Sequence, residues 1–190
     1  PDGIEGMGEY TFCNCRFPTM RIPPLITTIS ESIFYNCESM FSLELGECNI
    51  AQIGGRTFES CRSLRNIILP SNTEEGRMMF EDCRDLQQLF DSEEETINAL
   101  KHRFDNLPIH KMIYYHSYNN LTADQLDDAT MIRSGHYRTL RSSKMDPTGS
   151  QQDCLGMTPL HILACSSVHH LELYRVLIDK YPENLITEDR

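Results

Sequence analysis

Apolar residues in the first ninety positions recur in a fixed register. The pattern Phe-x-x-Cys occurs four times, at Phe12/Cys15, Phe34/Cys37, Phe58/Cys61 and Phe80/Cys83, with cysteine spacings of 22, 24 and 22. Each block ends in an extended apolar piece: Phe17-x-x-Met20-x-Ile22, Met40-x-x-Leu43-x-Leu45, Leu64-x-x-Ile67-x-Leu69 and a worn Leu86-x-x-Leu89. Met7, Ile29 and Ile53 stand five places before the Phe of their blocks, and Pro23, Gly46 and Pro70 follow the extended pieces. Alternation of apolar and polar residues predicts one short strand per block, with the apolar side chains inward and the middle one toward solvent. Pro or Gly then turns the chain. A single block cannot bury its Phe and Cys alone, but stacked blocks can. The fold expected for residues 1–92 is therefore an α/β repeat, a solenoid of parallel strands.

The register departs from itself at both ends. The first copy is one residue short between Cys15 and Phe17, and the fourth lacks the apolar residue around Thr73–Gly76 and degenerates at Phe90-Asp91. The acidic run Asp91-Ser92-Glu93-Glu94-Glu95 ends the array. Residues 93–152 then read as a helical cap and polar linker. Ile97, Leu100 and Phe104 predict a helix over 96–110 stopped by Pro108. Thr122–Gln125 forms a capping box for a helix over about 122–132, flanked by Leu121 and Leu126 as a staple. Residues 133–152 are polar with Gly, Ser and Pro and predict a flexible loop. A third region, 153–190, predicts a helix started by Thr158-Pro159 and a second from about His169 to Lys180, with Leu171, Tyr174, Leu177 and Ile178 on one face.

Two motif sets resemble known families. The unit I-x-x-x-x-F-x-x-C-x-x-L-x-x-I-x-[IL]-P over residues 4–90 resembles the BspA-like class of leucine-rich repeats. Asp153-Cys154-Leu155-Gly156-Met157-Thr158-Pro159-Leu160-His161-Ile162-Leu163-Ala164 resembles the ankyrin signature D-x-x-G-x-T-P-L-H-x-x-A. The order of the two, with Leu107–Lys111, Tyr114–His116 and Asp146–Gly149 between them, is similar to a family abundant in diatoms. The resemblance implies leucine-rich-repeat parallel strands, a helical segment and an ankyrin-like helix pair. Asp189 lies 36 residues after Asp153, near the ankyrin period of about 33. It implies the start of a further repeat in a truncated array, with the chain a fragment of a longer protein. It implies no enzyme activity.

Composition narrows the partners. The formal charge of −11 argues against nucleic acid, which demands a basic surface. No apolar run reaches the length of a membrane span. The basic cluster Arg133, Arg138, Arg141 and Lys144 reads as a solvated linker, with a docking or modified segment around Ser142-Ser143 as its alternative. Cys15, Cys37, Cys61 and Cys83 share one repeat position and predict a buried ladder of free thiols behaving as small apolar groups, with disulfides or a metal as alternatives. His161, Cys165 and His169 would share a helix face only if the helix ran unbroken, and the break near Ser166-Ser167 that the ankyrin resemblance implies removes the alignment. No phosphate loop, dinucleotide fingerprint or nucleophile elbow occurs.

The expected function is a non-catalytic, intracellular (cytoplasmic) scaffold that binds other proteins, with no cofactor and no metal. Two alternatives are a cell-surface adhesion protein and the non-catalytic part of a larger enzyme. The expected contact surface is the outward strand face: Thr19, Arg21, Ser42, Glu44, Arg65, Asn66, Ile68 and Gln87.

Overall fold

The computed structural model describes residues 6–23, 25–45, 49–116, 140, 145–166 and 171–188. The chain divides into two compact units, Pro1–Arg103 and Phe104–Arg190.

In the first unit the predicted apolar pieces become parallel strands. β1 (Thr19–Arg21) pairs with β3 (Ser42–Glu44), with Thr19 opposite Ser42 and Arg21 opposite Glu44; a single bridge from Ser42 to Asn66 carries the pairing into the third coil. A second parallel sheet lies on another side of the coils: β2 (Thr28–Ile29), β4 (Gln52–Ile53) and β5 (Glu74–Glu75), in that order. Its strands hold the residues five places before Phe34, Phe58 and Phe80. Two-residue strands are too short to show a period of two, so the sequence does not reveal this sheet as one.

The return leg stacks coil on coil. Phe12, Phe34, Phe58 and Phe80 form parallel-ring stacks with centroids 5.7, 5.9 and 5.4 Å apart. Beside them Cys37, Cys61 and Cys83 are fully buried. Each thiol donates to the carbonyl of the preceding coil's Phe: Cys37 to Phe12 at 2.9 Å, Cys61 to Phe34 at 3.2 Å and Cys83 to Phe58 at 3.0 Å. The thiols therefore pack as apolar groups and also spend their one proton. Glycines make the close approach possible: a Cβ on Gly76 would lie 2.1 Å from the Gly55 nitrogen, and one on Gly54 would lie 2.4 Å from the Glu31 nitrogen. Core residues of the second and third coils, such as Ile29, Phe34, Leu43, Ile53, Phe58 and Ile67, are wholly buried. Phe12, Cys15, Phe17 and Met20 of the first coil are only half-buried.

The fourth coil departs from the expected pattern. Its strand position is a helical turn, α1 (Arg84–Gln87), in which Leu86 is buried. The helix expected over 96–110 is two helices, because proline belongs at the first turn of a helix as well as after one. Ser92 caps α2 (Glu93–Lys101), accepting from the Glu95 N–H, and Pro108 opens α3 (Pro108–His116) rather than ending its predecessor. α2 lies in the first unit and α3 in the second.

The second unit packs α3 against α4 (Pro159–Ala164), and α4 against α5 (Leu171–Lys180). Thr158 caps α4 as its sequence predicts. Its hydroxyl accepts from the His161 N–H, and its own N–H donates to His161 Nδ1 at 3.1 Å. The Asp153 carboxylate accepts from Leu155 N and Met157 N, both at 2.9 Å, and shapes the preceding turn. The end of the expected loop is ordered: Asp146 caps a 3-10 turn, Pro147–Ser150, in which Gly149 is buried against the Tyr181 ring. Asn184 Nδ2 donates to the Gly149 carbonyl at 2.9 Å. On α5 the buried residues are Leu173 and Leu177, whereas Leu171, expected inward, is 71% exposed. Leu177 is buried as expected, Tyr174 and Ile178 are half-buried, and Leu173 takes the inward place expected of Leu171. The helix expected over 122–132, the basic cluster, Cys48, His169 and Asp189 lie outside the described residues.

Candidate binding surface

Strand pairing brings the expected contact residues into rows, with Thr19, Ser42 and Asn66 in one and Arg21 and Glu44 in another. The expectation that all eight face solvent is corrected. Ser42, Glu44 and Asn66 have no exposed surface and Ile68 retains 7%. Thr19, Arg21 and Arg65 are half-buried, and Gln87 is exposed.

Part of the reason is visible in the hydrogen bonds. Arg103, itself 3% exposed, donates through Nη1 to Asn66 Oδ1 at 2.9 Å and to the Ile67 carbonyl at 2.8 Å. Asn66 Nδ2 passes the chain on to Ser42 Oγ at 3.1 Å. A guanidinium withdrawn from water needs such partners. A Ser and an Asn at one repeat position, with an Arg following the next helix, is the signal that could have revealed this network. Arg65 pairs with Asp85 at 3.5 Å.

The turn side of the return leg stays accessible. Asn14, Asn36, Ser60 and Asp82 occupy one repeat position, all with φ between 54° and 61°. Asn and Asp tolerate this left-handed region best among residues with side chains. Asn36 Nδ2 donates to Asn14 Oδ1 at 2.7 Å. Arg62 joins Glu38 of the second coil to Asp82 of the fourth. Its guanidinium holds the Asp82 carboxyl below the usual range.

The last coil ends against α2. In the inner coils the N–H groups at the first turn position and at the Phe donate to carbonyls of the next coil: Ser32 to Gly55, Phe34 to Thr57, Arg56 to Arg77 and Phe58 to Met79. In the fourth coil the equivalent donors, Met78 N and Phe80 N, reach Glu93 Oε2 and Oε1 at 3.2 and 3.3 Å. One carboxylate stands where two backbone carbonyls would otherwise be. Lys101 meets the Thr73 carbonyl at 3.1 Å and the Glu75 carboxylate, and Leu100 O accepts from Leu69 N at 3.3 Å. α2 thus satisfies an open edge that would otherwise invite pairing. A groove of about 550 Å³ remains between the last coil and the start of α2, and Gln87 is among its lining residues.

The family model described as the BspA type leucine rich repeat region (6 copies) matches residues 1–125. The chain belongs to this family. Comparison with curated proteins and with solved structures gave no match. BspA-type repeats are generally non-catalytic binding modules, commonly serving protein interaction or adhesion. Among the described residues no helix is long and apolar enough to cross a membrane. The His161–Cys165 pair gathers no metal-binding set among the described residues, and His161 Nδ1 is engaged by Thr158.

Proposed function

We propose that this BspA-type chain is a non-catalytic, intracellular protein-interaction scaffold. In this reading its coils form a leucine-rich solenoid, followed by a helical segment and an ankyrin-like helix pair. The observation that carries it is the constant register of the coils. Backbone and side-chain bonds repeat from one coil to the next, so exposed side chains stand at fixed spacing on a rigid support. Such preorganisation lowers the entropic cost of binding. The Asp153 turn and the Thr158–His161 cap support the ankyrin-like part. For the intracellular part, mass analysis is expected to find free thiols, and a set of disulfides overturns it.

The contact surface proposed is Thr19, Arg21 and Arg65, the accessible remainder of the strand face, with Gln87 of α1. Affinity capture with the full chain tests it. The expected outcome is a discrete partner whose retention falls about tenfold in the Arg21→Glu/Arg65→Glu variant. Equal retention by wild type and variant overturns the surface, and absence of any partner overturns the scaffold reading.

A further inference from the structure

Stacking stops abruptly at the fourth coil. Phe34 and Phe58 each have an aromatic ring on both sides, but among the described residues Phe80 has a ring only on the Phe58 side. Glu93 replaces the hydrogen-bonding edge of a fifth coil without replacing its core. The groove beside it is what that substitution leaves open. Its floor is buried, with Phe80 and Leu86 as its apolar residues and Thr96 beside them. Met78, 39% exposed, and Phe90 form its walls.

The rim has one sign of charge. Glu81 and Asp91 are exposed carboxylates on its border, and no lysine or arginine lines it among the described residues. Glu93 also borders it, but its oxygens are occupied by Met78 N and Phe80 N. The start of α2 does not reverse this sign. Ser92 caps it, and Glu93, Glu94 and Glu95 fill its first turn, offsetting the positive end of the helix dipole.

From the groove's apolar floor and carboxylate rim we infer that it is a docking site for a basic peptide segment of a partner protein. One bulky apolar side chain of that segment enters against Phe80 and Leu86, and flanking lysines or arginines meet Glu81 and Asp91. Apolar burial supplies affinity and the charges supply orientation and rate. This deepens the protein-binding reading above and rests on it.

The test is fluorescence anisotropy with the full chain and a labelled peptide of alternating lysine and glycine around one phenylalanine. Saturable binding that weakens with added salt is expected. Glu81→Lys/Asp91→Lys should weaken it about tenfold or more. Glu172→Lys/Glu183→Lys, which changes net charge equally in the second unit, should leave it within about twofold. Replacing the phenylalanine with glycine should weaken it about fivefold or more. No saturable binding, equal loss in the two charge-reversed variants, or undiminished binding of the glycine peptide overturns the inference. An independent reading that does not depend on the variants is the NMR shift of the Met78 methyl on titration of the wild-type chain. A shift there supports the site, and shifts confined to other regions overturn it. If the peptide fails while partner capture still depends on Arg21 and Arg65, the groove falls and the scaffold reading stands. Failure of both removes that reading as well.

Discussion

At the scale of single residues, the buried thiols make the sharpest prediction. Burial pushes the Cys37 thiol up from 9.0 to about 11 and Cys83 up to about 12, and Cys61 moves in the same direction. These three should resist alkylation in the folded chain, while exposed Cys154 reacts readily. Mass mapping after brief iodoacetamide treatment checks this, and labelling of Cys61 at the rate of Cys154 would contradict it. The sign of the linked pH effect follows from the same shifts. Below pH 9 both states keep the proton and stability is unaffected. Above it the unfolded thiols ionise while the folded ones do not, so stability falls as pH rises, for Cys37 until about 11. Chemical denaturation across that range should show the decline. The Phe and Cys columns were legible in the sequence because identical side chains recur at one spacing. The glycine column was not. Gly54 and Gly76 matter through the approach of a neighbouring coil's backbone, which no local pattern reports. Gly76→Ala should cost about 2 kcal/mol or more, measured by urea denaturation.

At the scale of elements, α2 does two jobs that its own sequence half announces. Its acidic first turn and Ser92 cap are ordinary helix-start chemistry. The bonds from Met78 N and Phe80 N to Glu93 are a tertiary fact. Glu93→Ala should remove hydrogen-exchange protection at those two amides and cost about 1–3 kcal/mol. Glu93→Gln keeps an acceptor oxygen and should retain part of the protection. Unchanged exchange in the alanine variant would mean that α2 does not close the edge. The split of the expected 96–110 helix belongs here too. Pro108 reads equally as a stop or as a start, and local sequence does not choose between them. Ser42, Glu44, Asn66 and Ile68 of the expected strand face are buried rather than exposed, and for Asn66 the reason is related. Outward positions in an L-x-L strand face away from their own coil, but Arg103 comes back over Asn66 from 37 residues along the chain.

At the scale of the whole molecule, a stacked array distributes its stability through neighbour contacts, so position in the stack decides the cost of a change. Phe58 lies between Phe34 and Phe80 and has no exposed surface, whereas half-buried Phe12 stacks on Phe34. Phe58→Ala should cost about 3–5 kcal/mol. Phe12→Ala should cost clearly less, because its ring already keeps part of its surface in water. Denaturant midpoints for the two variants decide this, and equal losses would mean that the first coil is as well supported as the third. The charge of −11 acts at the same scale. It favours basic partners generally, which is why the control reversal in the second unit is needed to isolate the groove.

Periodicity and local chemistry alone determined the repeat length, the Phe and Cys columns and the Thr158 helix start. Each of these depends on residues within one coil or one helical turn. Only the tertiary structure decided that Ser42, Glu44 and Asn66 are buried, that Glu93 stands in for a fifth coil's carbonyls, and that a groove with a carboxylate rim is left beside it. Hydrophobic patterning states which side of a coil is its inside. Whether the outside is then covered depends on where a distant part of the chain returns, and that is settled by packing.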